Sequence, residues 1–494
     1  MRYTKALHVA FLFVSTIMCA SAVTTRADDY VDDYREANAR VARISLLRGD
    51  VSIQRAGSDD WEQATVNLPL VEGDKIATAL DARVEIQIDA RNYVRLSGNS
   101  VLQVVTLRDE GIALSLSEGT ATLRLARFDR DKEYFEIDAP KTTIAAEKRG
   151  LYRLDVELDG RVRISVRDDG RARIYSETSG FTLRNGRSAE LLYDGADAGD
   201  WQLSSLPPLD DWDRWTEERE SYLQARLRDE QRYYDQDMWG ADELYNYGDW
   251  SYSNTYNCWL WRPNPTHISN YHDWSPYRHG NWRWCPPYGW TWVGNEPWGW
   301  APYHYGRWVY HNNSWCWIPR GHNDRGRNHW RPALVVFVIH RESNRENIAW
   351  YPLTYGQRDP GRNWDGRPVA PARTKPGDRE VDLRNDGELV RGVTTLPADQ
   401  FGRQGVAMRA VPKDEARRII TTEPVRGELP VRQAGSTVRT ERPNKENGER
   451  AVVAVVPPPA GRPARPLPPE RQTGAAARKP GVALDRELQR TRVY

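Results

Sequence analysis

Between residues 41 and 203 apolar and polar positions alternate in short runs. Val84-x-Ile86-x-Ile88, Ile112-x-Leu114-x-Leu116, Leu154-x-Val156-x-Leu158 and Val162-x-Ile164-x-Val166 all repeat with period two. That period puts one row of side chains on a core face and the other in water. Gly49-Asp50, Asp159-Gly160, Asp169-Gly170 and Asn185-Gly186 punctuate the runs. Such pairs tolerate the positive φ of tight reversals, so each predicts a hairpin, beginning with residues 44–47 against 51–54. Many short strands at near-regular spacing predict an all-β sandwich or roll over 41–203.

After Pro207-Pro208 the period changes. Trp212, Trp215, Arg219, Tyr222, Leu223 and Leu227 recur at three and four, predicting an amphipathic connector helix within 208–237, capped by Asp210 or Asp211. Its stripe is narrow and aromatic, which suits a helix laid against one neighbouring domain.

The third pattern, over 238–356, is an internal repeat. Pro276-Tyr-Arg-His-Gly-Asn-Trp-Arg-Trp284 recurs as Pro302-Tyr-His-Tyr-Gly-Arg-Trp-Val-Tyr310, and the returns are Trp290-Thr-Trp292 and Trp315-Cys-Trp317. An earlier copy runs from Tyr247-Gly248-Asp-Trp250-Ser-Tyr252 back through Trp259-Leu-Trp261, and Trp350-x-Pro352-x-x-Tyr355-Gly356 is a partial one. Aromatics two apart share a strand face, so each copy predicts a β-hairpin, with Gly280 and Gly306 allowing a close approach. A lone hairpin is not stable, so the copies must pair or stack. Trp282, Trp284, Trp308 and Tyr310 are the candidate binding residues. They read either as core or as an exposed platform for a flat partner such as sugar rings, peptidoglycan or a protein edge. If consecutive hairpins lie side by side, Cys258 and Cys285 meet and form a disulfide, leaving Cys316 unpaired.

The ends of the chain differ from its middle. Arg2 and Lys5 precede an apolar run over residues 6–20, and Ala20-Ser21-Ala22 fits a signal-peptidase site, predicting a leader over 1–22 with an alternative cut after Ala27. The run falls short of the roughly 18 apolar residues that span a bilayer, and no later stretch reaches that length, so no membrane span is expected in the mature chain. Met18 before Cys19 fits lipoprotein processing poorly. Of the 21 Trp, 15 lie between Trp239 and Trp330, and past Trp364 only Phe401 and Tyr494 are aromatic. Residues 365–494 therefore read as a disordered, basic, Pro- and Arg-rich tail, with a polyproline-type stretch over 457–472 and, at 393–396 and 418–420, apolar islands that are candidates to dock onto the Trp domain.

Charge and chemistry narrow the function. Lys and Arg number 70 against 69 Asp and Glu, so no global field steers the chain to nucleic acid. Eight of the nine His lie between His267 and His340, but no Cys-x-x-Cys or His-x-x-x-His spacing accompanies them, so neither metal nor cofactor is expected. No nucleophile elbow, phosphate-binding glycine loop or zinc-protease helix is present, so no catalytic residue is assigned. Scattered carboxylates leave a cell-wall glycan hydrolase as the least favoured reading.

Two stretches carry a resemblance. Leu70-Val-Glu-Gly-Asp-Lys-Ile-Ala-Thr78, the strand–turn–strand that follows it, and Asp138-Ala-Pro-Lys-Thr-Thr-Ile through Val156 resemble the FecR-type domain over about 41–203. Trp239-Gly-Ala-Asp-Glu-Leu-Tyr-Asn-Tyr-Gly-Asp-Trp250, Pro297-Trp-Gly-Trp-Ala-Pro-Tyr303 and Ile348-Ala-Trp-Tyr-Pro-Leu353 resemble the Trp-rich region of unknown function that accompanies such domains in bacterial proteins. The resemblance implies an extracytoplasmic β domain with a sensing or interaction role. Iron-uptake regulators of this type place a cytoplasmic anti-sigma segment and a membrane helix before it, and this sequence shows neither. The expected protein is a non-enzymatic periplasmic or secreted binding or scaffolding protein of the bacterial envelope, its partner an envelope protein or a cell-wall polymer. The alternative is a soluble sensor in a FecR-like signalling pathway.

Overall fold

The computed structural model describes residues 40–176, 180–192, 200–230, 233–320, 330–342, 344–355, 389–425 and 429–431. The expected leader and the polyproline-type stretch lie outside them. The protein is mainly β, as the alternation predicts. Residues 42–205 form two packed layers that share the long strand Gly111–Leu125. Its first half pairs with Val101–Arg108 and Tyr134–Ala139 in one layer. Its second half pairs with Asn92–Leu96 and Gly150–Val156 in the other. The strand changes layer at Gly119, where φ is +84° and an added Cβ would lie 2.5 Å from Ser100 Cα. Between the layers the period-two residues close one core, with Leu114, Ile137, Ile144 and Ile174 on one side and Val94, Leu123, Leu154 and Ile164 on the other.

The turn signals mark two kinds of reversal. Asp159-Gly160 joins a true hairpin, with Val156 opposite Val162. Gly49-Asp50 does not: Ala42–Arg48 pairs with Arg83–Gln87 in one layer, and Val51–Gln54 with Lys75–Thr78 in the other. Asp169-Gly170 and Asn185-Gly186 likewise turn the chain from layer to layer. Positive φ permits a sharp reversal either way, and burial on the shared core decides which strand pairs with which.

The outer face of the second layer is not left to water. Helix Asp211–Glu230 crosses it, with Asp210 Oδ1 accepting from the Asp213 amide at 2.8 Å as the N-terminal cap. Trp212 Nε1 donates to Thr122 Oγ1 at 2.8 Å. Arg219 pairs with Glu85 at 2.8 Å and Glu220 with Arg124 at 3.1 Å. Glu85 and Arg95, alternate residues that should face solvent, are fully buried beneath this helix. Burial pushes the Glu85 carboxyl upward, but the charges and hydrogen bonds of Arg95 and Arg219 outweigh it and hold the pKa at about 2.

The expected tail begins too early at 365. Thr394–Pro397 adds a strand beside Arg345–Pro352. Helix Lys413–Thr421 then buries Ala416, Ile419 and Ile420 against Val336, Val338 and Tyr351. The two apolar islands dock because they complete an aliphatic core that the Trp-rich hairpins do not reach.

Gly119→Ala should cost about 2–4 kcal/mol, from left-handed strain plus the backbone clash. Gly186→Ala has the same positive φ but nothing within 4 Å of the new Cβ, and should cost about 1 kcal/mol. Equal losses in chemical denaturation would mean that the corner can open.

Candidate functional site

The three full repeat copies are hairpins, as expected. Trp250 faces Trp261, Trp282 faces Trp292, and Trp308 faces Trp317. One step toward each tip, an outer pair follows: Tyr252 with Trp259, Trp284 with Trp290, Tyr310 with Trp315. The repeated glycine makes room for the inner return-strand indole. A Cβ on Gly248, Gly280 or Gly306 would lie 2.7, 2.6 or 2.9 Å from the ring of Trp261, Trp292 or Trp317. The inner rings then merge into one aromatic core with Trp298, Trp300, Tyr303 and Trp350.

Pairing between hairpins departs from the side-by-side order. The first joins the third, with Trp261 opposite Trp317, and the second stands as its own two-stranded sheet. Cys258 and Cys285 therefore sit in different sheets, Cys285 beside Arg55 of the β-layer domain, and all three described cysteines are free thiols. The expected disulfide is corrected on that ground. The four candidate platform residues also separate. Trp282 and Trp308 are 1% exposed and belong to the core, while Trp284 and Tyr310 are half-buried at hairpin tips. They form no common exposed row.

The Trp-rich domain is locked to the β layers by buried polar contacts that periodicity could not show. Arg43, 1% exposed, donates to Gln87 at 2.7 Å, Asn67 at 2.8 Å and Glu243 at 2.9 Å, with its guanidinium 5.7 Å from the Trp300 ring. Asn67 Nδ2 donates to the carbonyls of Glu296 and Pro297 at 3.1 and 3.2 Å. Glu62 receives Arg283 and Gln404, each at 3.0 Å. Burial and the neighbouring Asp242 raise Glu243 to about 7, against the pull of Arg43. Glu296 accepts from Trp274 Nε1 at 2.7 Å and Tyr303 hydroxyl at 2.8 Å, yet burial still raises it to about 7.

An open groove of about 1080 Å³ runs along this seam. Arg91 and Arg127 come from the β layers, Asp235 from the connector, and Tyr252, Trp259 and Arg320 from the repeat hairpins. Tyr252 is half exposed. Arg127 pairs with Asp237 at 2.6 Å and Arg320 with Asp235 at 3.0 Å, so both signs line the rim. Sequence reasoning missed the groove because it chose the outgoing strands of copies two and three. The discriminating signal is what packs on each copy, and that requires the fold. Among the described residues no three His, Cys, Asp or Glu side chains gather as a metal site, and no helix is long and apolar enough to cross a membrane.

Comparison with known proteins agrees with both resemblances. Residues 74–173 match the family described as FecR protein, and residues 241–357 match a family of unknown function, DUF6600. No curated protein matches the chain. Two crystal structures described as a "putative anti-sigma factor" from Parabacteroides distasonis share 13% and 12% identity, each with a TM-score of 0.23. Each alignment covers 26% of this chain and 59% of that one, so the chain spans about three fifths of those structures.

Trp282→Ala and Trp308→Ala should each cost about 3–5 kcal/mol, as expected for a large buried ring. A loss below about 1 kcal/mol in thermal or urea unfolding would return that ring to the surface. The Glu296 carboxyl, raised from 4.5 to about 7 on folding, favours the native state below the unfolded pKa. That contribution is lost as pH climbs through about 7, and amounts to about 3 kcal/mol. Glu296→Gln should therefore flatten the fall in stability between pH 5 and 8. An unchanged slope would show that Glu296 does not titrate there.

Proposed function

We propose that this protein is a non-catalytic envelope sensor: a FecR-type β roll fused rigidly to a Trp-rich domain, with ligand capture in the groove at their seam. The FecR match over residues 74–173 carries the reading and favours signalling over passive scaffolding. The seam adds physical support. Arg43, Asn67 and Glu62 are desolvated with their partners across it, and separating the domains would strand buried polar groups. A ligand resting on both walls is then felt by one body rather than by a loose tandem. The groove is better equipped to bind than to catalyse. Asp235 stands against an arginine, whereas the carboxyls raised to about 7, Glu243 and Glu296, lie in the interior.

Export places the chain outside the cytoplasm in this reading, so its signal must pass through a membrane-spanning partner. Crosslinking in intact cells should recover such a signalling protein, and deleting the gene should change a defined set of transcripts under envelope stress. An unchanged transcript profile together with an altered cell-wall architecture would instead establish the scaffolding reading.

A further inference from the structure

The first and third hairpins are related by a local two-fold axis. They join antiparallel at Trp261 and Trp317, so their tips point to opposite ends of one sheet. The tips match atom for atom in the groups that matter. Tyr252 hydroxyl donates to Asn257 Oδ1 at 2.6 Å, and Tyr310 hydroxyl to Asn313 Oδ1 at 3.1 Å. Both asparagines take positive φ, 51° and 63°. The outer rings meet edge to face at 5.6 Å and 79° in one tip, and at 5.5 Å and 82° in the other.

Their surroundings differ. At the third hairpin a segment of this chain packs against the outer pair, beside a smaller cavity of about 370 Å³. Val390 lines it, the Arg391 guanidinium lies 5.0 Å over Tyr310, and Gly392 sits so close that a Cβ would be 3.1 Å from the Trp315 ring. Arg278 anchors that segment through the carbonyls of Arg391 and Val393, at 2.6 and 3.1 Å. The second hairpin is covered in the same manner: Phe401 meets Trp290 at 4.9 Å, and a Cβ on Gly402 would lie 2.3 Å from its ring. The first hairpin's outer pair instead lines the open groove, with Tyr233 of the connector meeting Trp259 edge to face at 4.9 Å.

We infer that this groove is a receptor for an extended peptide of the aliphatic–Arg–Gly kind, supplied by another polypeptide. The indole face admits glycine because no side chain fits above it. The tyrosine ring beside it takes the guanidinium by cation–π contact. The rim carries Arg91, Arg127 and Arg320 together with Asp235 and Asp237. That mixture complements a segment like Glu388-Leu-Val-Arg-Gly392, which bears both signs. The described parts of the chain's own Val-Arg-Gly copies are engaged elsewhere. The 389–392 segment is held at the third hairpin, and the other Val-Arg-Gly begins at Val425, whose amide donates to Phe337 at 2.8 Å. The inference rests on the ligand-capture part of the proposed function and specifies the chemistry of the partner.

The test is titration of the full mature protein with a synthetic peptide of the sequence of residues 386–394, read by calorimetry. Saturable binding is expected, weakened by about tenfold or more in Trp259→Ala and in Tyr252→Ala. Trp284→Ala, at the second hairpin, should leave it unchanged. Tyr252 is half exposed, so its variant remains informative if Trp259→Ala fails to fold. Peptides carrying Arg→Ala or Gly→Val at the positions of Arg391 and Gly392 should also bind about tenfold more weakly. Absent binding, equal binding of the Gly→Val peptide, or binding of chitohexaose in place of the peptide would overturn the proposal. Because the titration uses isolated protein, its failure leaves the transcript readout of the sensor reading intact.

Discussion

An indole on a two-stranded hairpin has one neighbouring strand to hide behind and needs cover on its remaining face. Much of the Trp-rich domain meets that demand. Three hairpins bring their inner tryptophans to a common centre, and a glycine in each copy lets the return-strand ring lie flat on the backbone. The 389–402 segment comes back to cap two of the outer pairs. Val41 and Val71 of the β layers join the same aromatic core. Large rings bury much area for little lost side-chain entropy, which suits a domain poor in Leu and Ile.

The same demand for cover explains the charged seam. The second β layer carries Glu85, Arg95, Gln87 and Arg43 on its outer face, and the helix and Trp-rich domain dry that face. Burying ions is costly unless every charge meets a partner, and a well-packed apolar contact would serve stability as well. The arrangement makes sense as a specifier of geometry. Arg43 reaches Glu243, and Asn67 the carbonyls of Glu296 and Pro297, across the seam, and sliding the domains by one residue would break those bonds together. Position is thereby fixed more sharply than an oily interface would fix it.

Local rules carried a large part of this fold in the sequence. Period two located strands such as Arg83–Gln87, Gly150–Val156 and Val162–Arg167 among the seventeen described in residues 42–205. Period three to four located the helix that runs from Asp211, and the Trp-x-Trp spacing set the register within every hairpin. Failures came where pairing is decided at long range. Gly49-Asp50 carries turn chemistry that fits a hairpin and a layer corner equally. The second hairpin lies between the first and third in sequence but not in their sheet. Residues 393–396 and 418–420 are apolar islands in a polar composition, and their worth depends on a surface built by strands Val335–Glu342 and Arg345–Pro352. The candidate site was legible as a kind of residue, an outer aromatic pair, and illegible as a position. Equivalent pairs differ only in what covers them.

That asymmetry is what makes the repeat more than a structural filler. A local two-fold creates two like aromatic tips, and the described 389–392 segment packs on one of them. The tip it reaches becomes interior, stabilised by Arg278 and the docked strand. The other lies where Arg91 and Arg127 of the β layers come within reach, so its walls belong to both domains. Duplication thus supplies the recognition surface, and unequal capping decides where that surface is presented. The desolvated seam then ties that surface to the FecR-type layers, so contact at the groove bears on the domain that carries the signalling resemblance.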